Sequence, residues 1–123
     1  MIKQLLTRNI KKYLATHSNI ILLDVRTKGE WDTVGKPDGE KIGVKTYFLE
    51  IQRNDHFDFM KEFNDFNIKK KNEILVICKS GERSQITAEL LSKENYKAIN
   101  ISDGFEGSVE GIGWVNSNLP IKF

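Results

Sequence analysis

Cysteine occurs once in these 123 residues, at position 78. A lone thiol cannot close a disulfide within the chain. That excludes the stapled framework of small secreted domains and makes a reducing, cytoplasmic setting the expected one. Histidine is almost as scarce: His17 and His56 stand apart, no cysteine or carboxylate cluster accompanies them, and no metal site is expected. Long apolar runs are missing too. The opening segment, MIKQLLTRNIKKYLATHSN, lacks the uninterrupted apolar stretch of a secretory signal, and no part of the chain is apolar enough to span a bilayer. Neither sign of charge dominates, since 29% charged residues leave a formal net charge of only +2. The densest basic run, Lys69 to Lys71, has no interleaved aromatics and reads as a solvated connection before a strand rather than a nucleic-acid patch. There is no internal repeat, low-complexity tract or Pro/Gly/Ser linker. Residues 1–123 are therefore read as one domain, expected to be a monomer with neither a nucleic-acid nor a membrane partner.

What is present is a set of short apolar runs. Ile20 to Leu23, Ile74 to Ile77 and Ala98 to Ile101 are rich in Ile, Leu and Val without clean alternation, the pattern of strands buried on both faces of a parallel sheet. A weaker candidate covers Val44 to Phe48. Helical patterns separate them. Ile2, Leu5, Leu6, Ile10, Tyr13 and Leu14 recur at helical spacing. Phe57, Met60, Phe63 and Phe66 fall at steps of three, and these phenylalanines together with Phe59 read as core, Phe59 lying off the main face. Ile86, Leu90 and Leu91 mark one face of a helix from about Arg83 to Glu94. The alternation predicts an α/β domain with helices on both faces of a mostly parallel sheet of about five strands.

In such sheets ligands bind beyond the carboxyl ends of the strands. Three predicted strand ends carry unusual residues: Asp24-Val25-Arg26, Cys78, and Ser102-Asp103-Gly104. If the strands run parallel, all three lie on one edge. After Cys78 come Lys79, Ser80, Gly81, Glu82, Arg83 and Ser84, then a helix. Gly81 lets the loop curl around the sulfur. Inward-pointing amides with the positive end of a helix dipole would make an anion nest, which favours a thiolate. A cation at a helix N-terminus is disfavoured by the dipole, so Arg83 makes sense if it faces an anion. A cysteine closing a buried strand is also a common inert core residue. Gly81 and Arg83 at these spacings favour reactivity, and Cys78 is expected to be partly accessible.

The stretch Cys78-Lys79-Ser80-Gly81-Glu82-Arg83-Ser84 resembles the active loop of single-domain rhodaneses, C-x-x-G-x-R-S. LLDVRTKGEW, residues 22–31, resembles the family's other signature, and DGFEGSVEGIGW, residues 103–114, is similar to its Gly-rich stretch ending in tryptophan. The resemblance covers about residues 4–115 and implies a rhodanese-like three-layer domain. It also implies a sulfurtransferase, a transferase in which Cys78 is the cysteine nucleophile and carries a persulfide. Cys78 would take a sulfane sulfur from a small-molecule donor such as thiosulfate or a persulfide and pass it to a thiol or protein acceptor. The loop from Lys79 through Ser80, Gly81, Glu82, Arg83 and Ser84 would bind the substrate, with the backbone amides of residues 79–83 on the transferred sulfur and Lys79 and Arg83 attracting an anionic donor. No metal or organic cofactor is implied.

Asp24 and Arg26 are supporting residues, Asp24 accepting hydrogen bonds from loop amides and Arg26 pairing with Glu30. Trp114 is a packing residue that the resemblance puts near the pocket rim. This chain departs from the family pattern in three places. The family's Gly-His-Ile-Pro-Gly-Ala stretch is here Gly35-Lys36-Pro37-Asp38-Gly39-Glu40-Lys41-Ile42, without histidine; Asp103-Gly104 replaces Gly-Gly; and Glu82 places a negative charge in the loop. Two rival readings are a non-catalytic rhodanese-like binding or regulatory module and a cysteine-dependent phosphatase or arsenate reductase. The phosphatases and reductases of the related fold separate cysteine and arginine by five residues, whereas four lie between Cys78 and Arg83.

Overall fold

Leucine, isoleucine and valine dominate three strands that are buried on both faces and form the centre of the fold. A computed structural model describes residues 1–52 and 56–123. The strands are β1 (Lys3–Leu5), β2 (Ile20–Asp24), β3 (Lys36–Pro37), β4 (Lys45–Phe48), β5 (Glu73–Ile77), β6 (Lys97–Ile101) and β7 (Ile121–Lys122). The helices are α1 (Ile10–Thr16), α2 (Lys28–Val34), α3 (His56–Asn64) and α4 (Glu82–Lys93). Five strands form one sheet in the order β1-β6-β5-β2-β4, every neighbouring pair parallel, while β3 and β7 make a small antiparallel ribbon.

The two-residue period of a strand divides the core. Leu22, Leu75, Ile77, Ile99 and Ile101 face one side with Ile10 and Tyr13 of α1, Phe105 and Trp114. Ile21, Leu23, Ile74, Val76 and Cys78 face the other with Phe59 and Phe63 of α3 and Ala88 and Leu91 of α4. Two separate apolar layers on one sheet give the three-layer α/β arrangement. Among the described residues, no helix is long and apolar enough to cross a membrane.

The register sets Asp24 level with Ile77, and Val25 donates its N–H to the Ile77 carbonyl at 3.0 Å. Asp24, Cys78 and Asp103 therefore share the carboxyl edge. From β2 the chain moves outward to β4; from β5 it moves the opposite way to β6. The divergence between β2 and β5 is the topological switch point, where such sheets open a crevice. Cys78 lies at its mouth.

Three local expectations are corrected. The N-terminal helical spacing breaks because Lys3–Leu5 is extended and pairs with β6, so the helix begins only at Ile10. On α3 Phe63 is buried and Met60, with Phe66 just beyond the helix, packs part-buried against the same core, but Phe59, read as off the main face, is buried with them, and Phe57 is 82% exposed. On α4 the buried face is Ser84, Thr87, Ala88 and Leu91, with Ile86 turned outward.

Candidate active site

The thiol is fixed by a loop that folds back onto it. Gly81, at φ +99°, turns the chain into α4, and a side chain there would meet the Ser102 carbonyl at 2.3 Å. With that turn the Gly81 N–H points at Cys78 Sγ from 3.2 Å and the Ser84 N–H from 3.3 Å. Two amides converging on one sulfur at the start of a twelve-residue helix favour negative charge there. Of the amides of residues 79–83 expected to hold the sulfur, that of Gly81 is hydrogen-bonded to it, and the second amide on the sulfur is that of Ser84, one residue beyond them.

A polar network backs the sulfur. Ser84 Oγ lies 3.2 Å from Cys78 Sγ and donates to Asn100 Oδ1 at 2.5 Å. The Asn100 amide group in turn donates to Gly81 O at 3.2 Å and Gln4 Oε1 at 2.8 Å. Both Asn100 donors are used, so its oxygen is left to accept from Ser84, whose single hydroxyl proton can go to Asn100 while the thiol donates to Oγ, or turn to the sulfur when it is a thiolate. The loop is clamped from the β6 side as well. Phe105 N donates to Cys78 O at 2.8 Å and Glu106 N to Lys79 O at 3.0 Å. Gly104, at φ +66°, makes that approach possible, since a Cβ there would lie 2.3 Å from the Lys79 carbonyl.

Beside the sulfur lies a pocket of about 240 Å³ lined by Ile51, His56, Lys79, Ser80, Glu82, Arg83 and Ile86. Cys78 itself is 1% exposed, less open than the sequence suggested, because Gly81 and Ser84 close over it and its strand face is packed. Sequence reasoning missed Ile51, His56 and Ile86 in the lining and Asn100 behind it. A polar residue inside the apolar run of β6 was the available signal for Asn100.

Two arginines near the site are paired. Arg26 donates from Nε and Nη2 to the Asp24 carboxylate at 2.9–3.2 Å and from Nη2 to Gly35 O at 2.8 Å. Both side chains are fully buried, and the guanidinium stacks on Phe105 with 4.0 Å from Cζ to ring centroid. Its Nη1 has no hydrogen-bond partner among the described residues. Burial pushes the Asp24 carboxyl up, against the Arg26 hydrogen bonds and charge that pull it down. The expected Arg26–Glu30 pair is not made.

Glu30 instead takes Arg83 in a two-pronged contact, Nη1 to Oε1 at 2.8 Å and Nη2 to Oε2 at 2.9 Å. The same carboxylate closes a capping box on α2, accepting from the Thr27 N–H at 3.0 Å while its own N–H donates to Thr27 Oγ1 at 3.2 Å. Its carboxyl is held down at about 2, chiefly by the Arg83 hydrogen bonds, and Arg83 is raised in return. Trp114 lies in the core, 1% exposed, donating from Nε1 to Pro120 O at 2.8 Å, so it is not at the pocket rim. Asp103 ties loops together by accepting from Thr7 N at 3.0 Å and Gly113 N at 2.9 Å. Among the described residues, no group of three or more His, Cys, Asp or Glu could hold a metal.

The STR4 middle domain family matches residues 6–123. The chain is 40% identical over 113 residues to uncharacterized protein RP600 of Rickettsia prowazekii, covering 89% of each. It is 30% identical over 115 residues to the chloroplastic rhodanese-like domain-containing protein 4 of Arabidopsis thaliana, covering 92% of this chain and 24% of that protein. The crystal structure of Rv0390 from M. tuberculosis superposes with a TM-score of 0.80 at 29% identity, covering 98% of this chain and 96% of that one.

Proposed function

The chain belongs to the STR4 middle domain family of rhodanese-like domains, and on that premise we propose that it is a sulfurtransferase working through a Cys78 persulfide. The observation that carries this reading is the sulfur of Cys78, met by the Gly81 and Ser84 amides and bordering a pocket at the switch point of the sheet. Amides so placed stabilise the nucleophilic thiolate, and after transfer they stabilise charge on the bound sulfur.

With thiosulfate, the Cys78 thiolate attacks the outer sulfur. The new S–S bond takes that sulfur, the old S–S bond breaks, and sulfite leaves with its electron pair. With an alkyl persulfide, attack on the terminal sulfur releases an alkyl thiolate. In the second step a thiophilic acceptor, such as cyanide or a thiol, attacks the outer sulfur of the persulfide and Cys78 leaves as thiolate. Two half-reactions through one covalent intermediate give ping-pong kinetics.

The test is intact-mass measurement after incubation with thiosulfate or an alkyl persulfide. Wild-type protein should gain sulfur that cyanide removes, and Cys78→Ser should gain none and show only background transfer. The enclosure of Cys78, 1% exposed, favours a second reading as a non-catalytic binding module. Absence of sulfur loading from every donor would decide for the module.

A further inference from the structure

Arg83 lines the pocket beside Cys78, where an anionic donor would meet it, and in this fold it is already engaged. Both of its terminal nitrogens lie on the two oxygens of Glu30, at 2.8 and 2.9 Å. Glu30 is itself fixed by the Thr27 cap, so the carboxylate cannot swing aside without opening the first turn of α2. The charge that Arg83 brings to the pocket is thus cancelled by a group built into the fold. Among the described lining residues, Lys79 is exposed and offset in number by Glu82, also exposed, and His56 is counted as neutral. The attacking group is a thiolate, so a dianion reaching it is repelled unless fixed positive charge compensates. Here the described charges sum to nearly zero. Ile51 and Ile86 supply instead an apolar side to the same pocket.

We infer that Glu30 is a specificity-determining residue, which by neutralising Arg83 turns the pocket away from dianionic donors and toward alkyl persulfides, donors that carry at most one charge and an aliphatic group to set against Ile51 and Ile86. This rests on the sulfurtransferase reading and names its donor class.

The experiment compares the rate of sulfur loading onto Cys78, by intact mass, from thiosulfate and from 2-hydroxyethyl persulfide. Wild-type protein should load faster from the persulfide. Glu30→Gln keeps an oxygen to accept from Thr27 and Arg83 but removes the negative charge. It should raise the thiosulfate-to-persulfide ratio about tenfold at low salt, the effect of removing one negative charge close to a dianion. The gain should shrink as salt is added. A second measurement needs no variant: loading of the wild type from thiosulfate should stay flat or rise with ionic strength, because no net attraction is being screened. An unchanged or lowered ratio in Glu30→Gln, or a steep fall of the wild-type thiosulfate rate with salt, overturns the inference alone. Failure of both donors to load Cys78 overturns it together with the sulfurtransferase reading.

Discussion

Two arginine–carboxylate pairs stand close together at the carboxyl edge of the sheet, built from the same functional groups and put to different uses. Asp24 and Arg26 are two residues apart and wholly enclosed, their charges held by each other, by the Gly35 carbonyl and by the Phe105 ring. Glu30 and Arg83 are far apart in sequence and keep 21% and 33% of their side chains exposed, beside the pocket. Enclosure makes the inner pair a requirement of the fold. Partial exposure leaves the outer pair worth little to stability, but able to set the charge that a ligand meets. The lesson is that contact geometry alone does not assign a role to an ion pair; solvent access does.

Breaking the inner pair should have the largest effect. Asp24→Asn leaves a buried guanidinium uncompensated and is expected to cost about 3–5 kcal/mol, read from the urea midpoint with an unchanged slope. If it cost no more than an exposed pair, the contrast between the two would collapse. Next comes Arg83→Ala, which leaves Glu30 without its partner. Melting should change little, while the thiosulfate-to-persulfide loading ratio falls about tenfold, opposite in direction to Glu30→Gln. Movement of both variants in the same direction would mean that shape rather than charge is being changed.

The smallest effect is the pH dependence of the outer pair. The Glu30 carboxyl in the folded chain is lowered to about 2 from an ordinary 4.5, so folding favours its ionised form. Its contribution is present above the ordinary value and is lost as pH falls toward the folded one. The stability difference between wild type and Glu30→Gln should be under about 1 kcal/mol near neutrality and vanish between about pH 4.5 and pH 2. Urea titrations across that window check it.

Much of this arrangement was legible in the sequence. Ile20 to Leu23, Ile74 to Ile77 and, apart from Asn100, Ala98 to Ile101 are apolar because these strands are covered on both faces, and the placing of Asp24, Cys78 and Asp103 on one edge follows from parallel pairing. The failures have physical reasons. A three-residue edge strand such as β1 is too short to show a period, so Ile2 and Leu5 lent themselves to the helical spacing of Ile10 and Tyr13. The buried face of α4 is small and partly polar because Ser84 serves the sulfur and Asn100 rather than the apolar core, so one of its large apolar residues, Ile86, does not mark that face. Arg26 was assigned to Glu30 by nearness in sequence, whereas its true partner was fixed by burial and Glu30's by the meeting of α2 with α4. Trp114 is the packing residue its type suggests, and only the rim placement implied by the resemblance fails, because its indole is buried and bonded to Pro120.

The close approach of Gly104 to the Lys79 carbonyl bears on the two half-reactions proposed above. The sulfur would visit this loop in two forms, bare and extended by one atom, and the same amides would have to serve both. With Phe105 and Glu106 stitched to the carbonyls of Cys78 and Lys79, the loop has little freedom to adopt a separate resting shape for each form. Reorganisation is then confined to the ligand and its water, and the donors meeting the developing charge are already in position when it arrives. On the proposed reaction, the missing side chain at residue 104 would thus act on the rate of a step it does not touch, by holding the loop in one shape through both half-reactions.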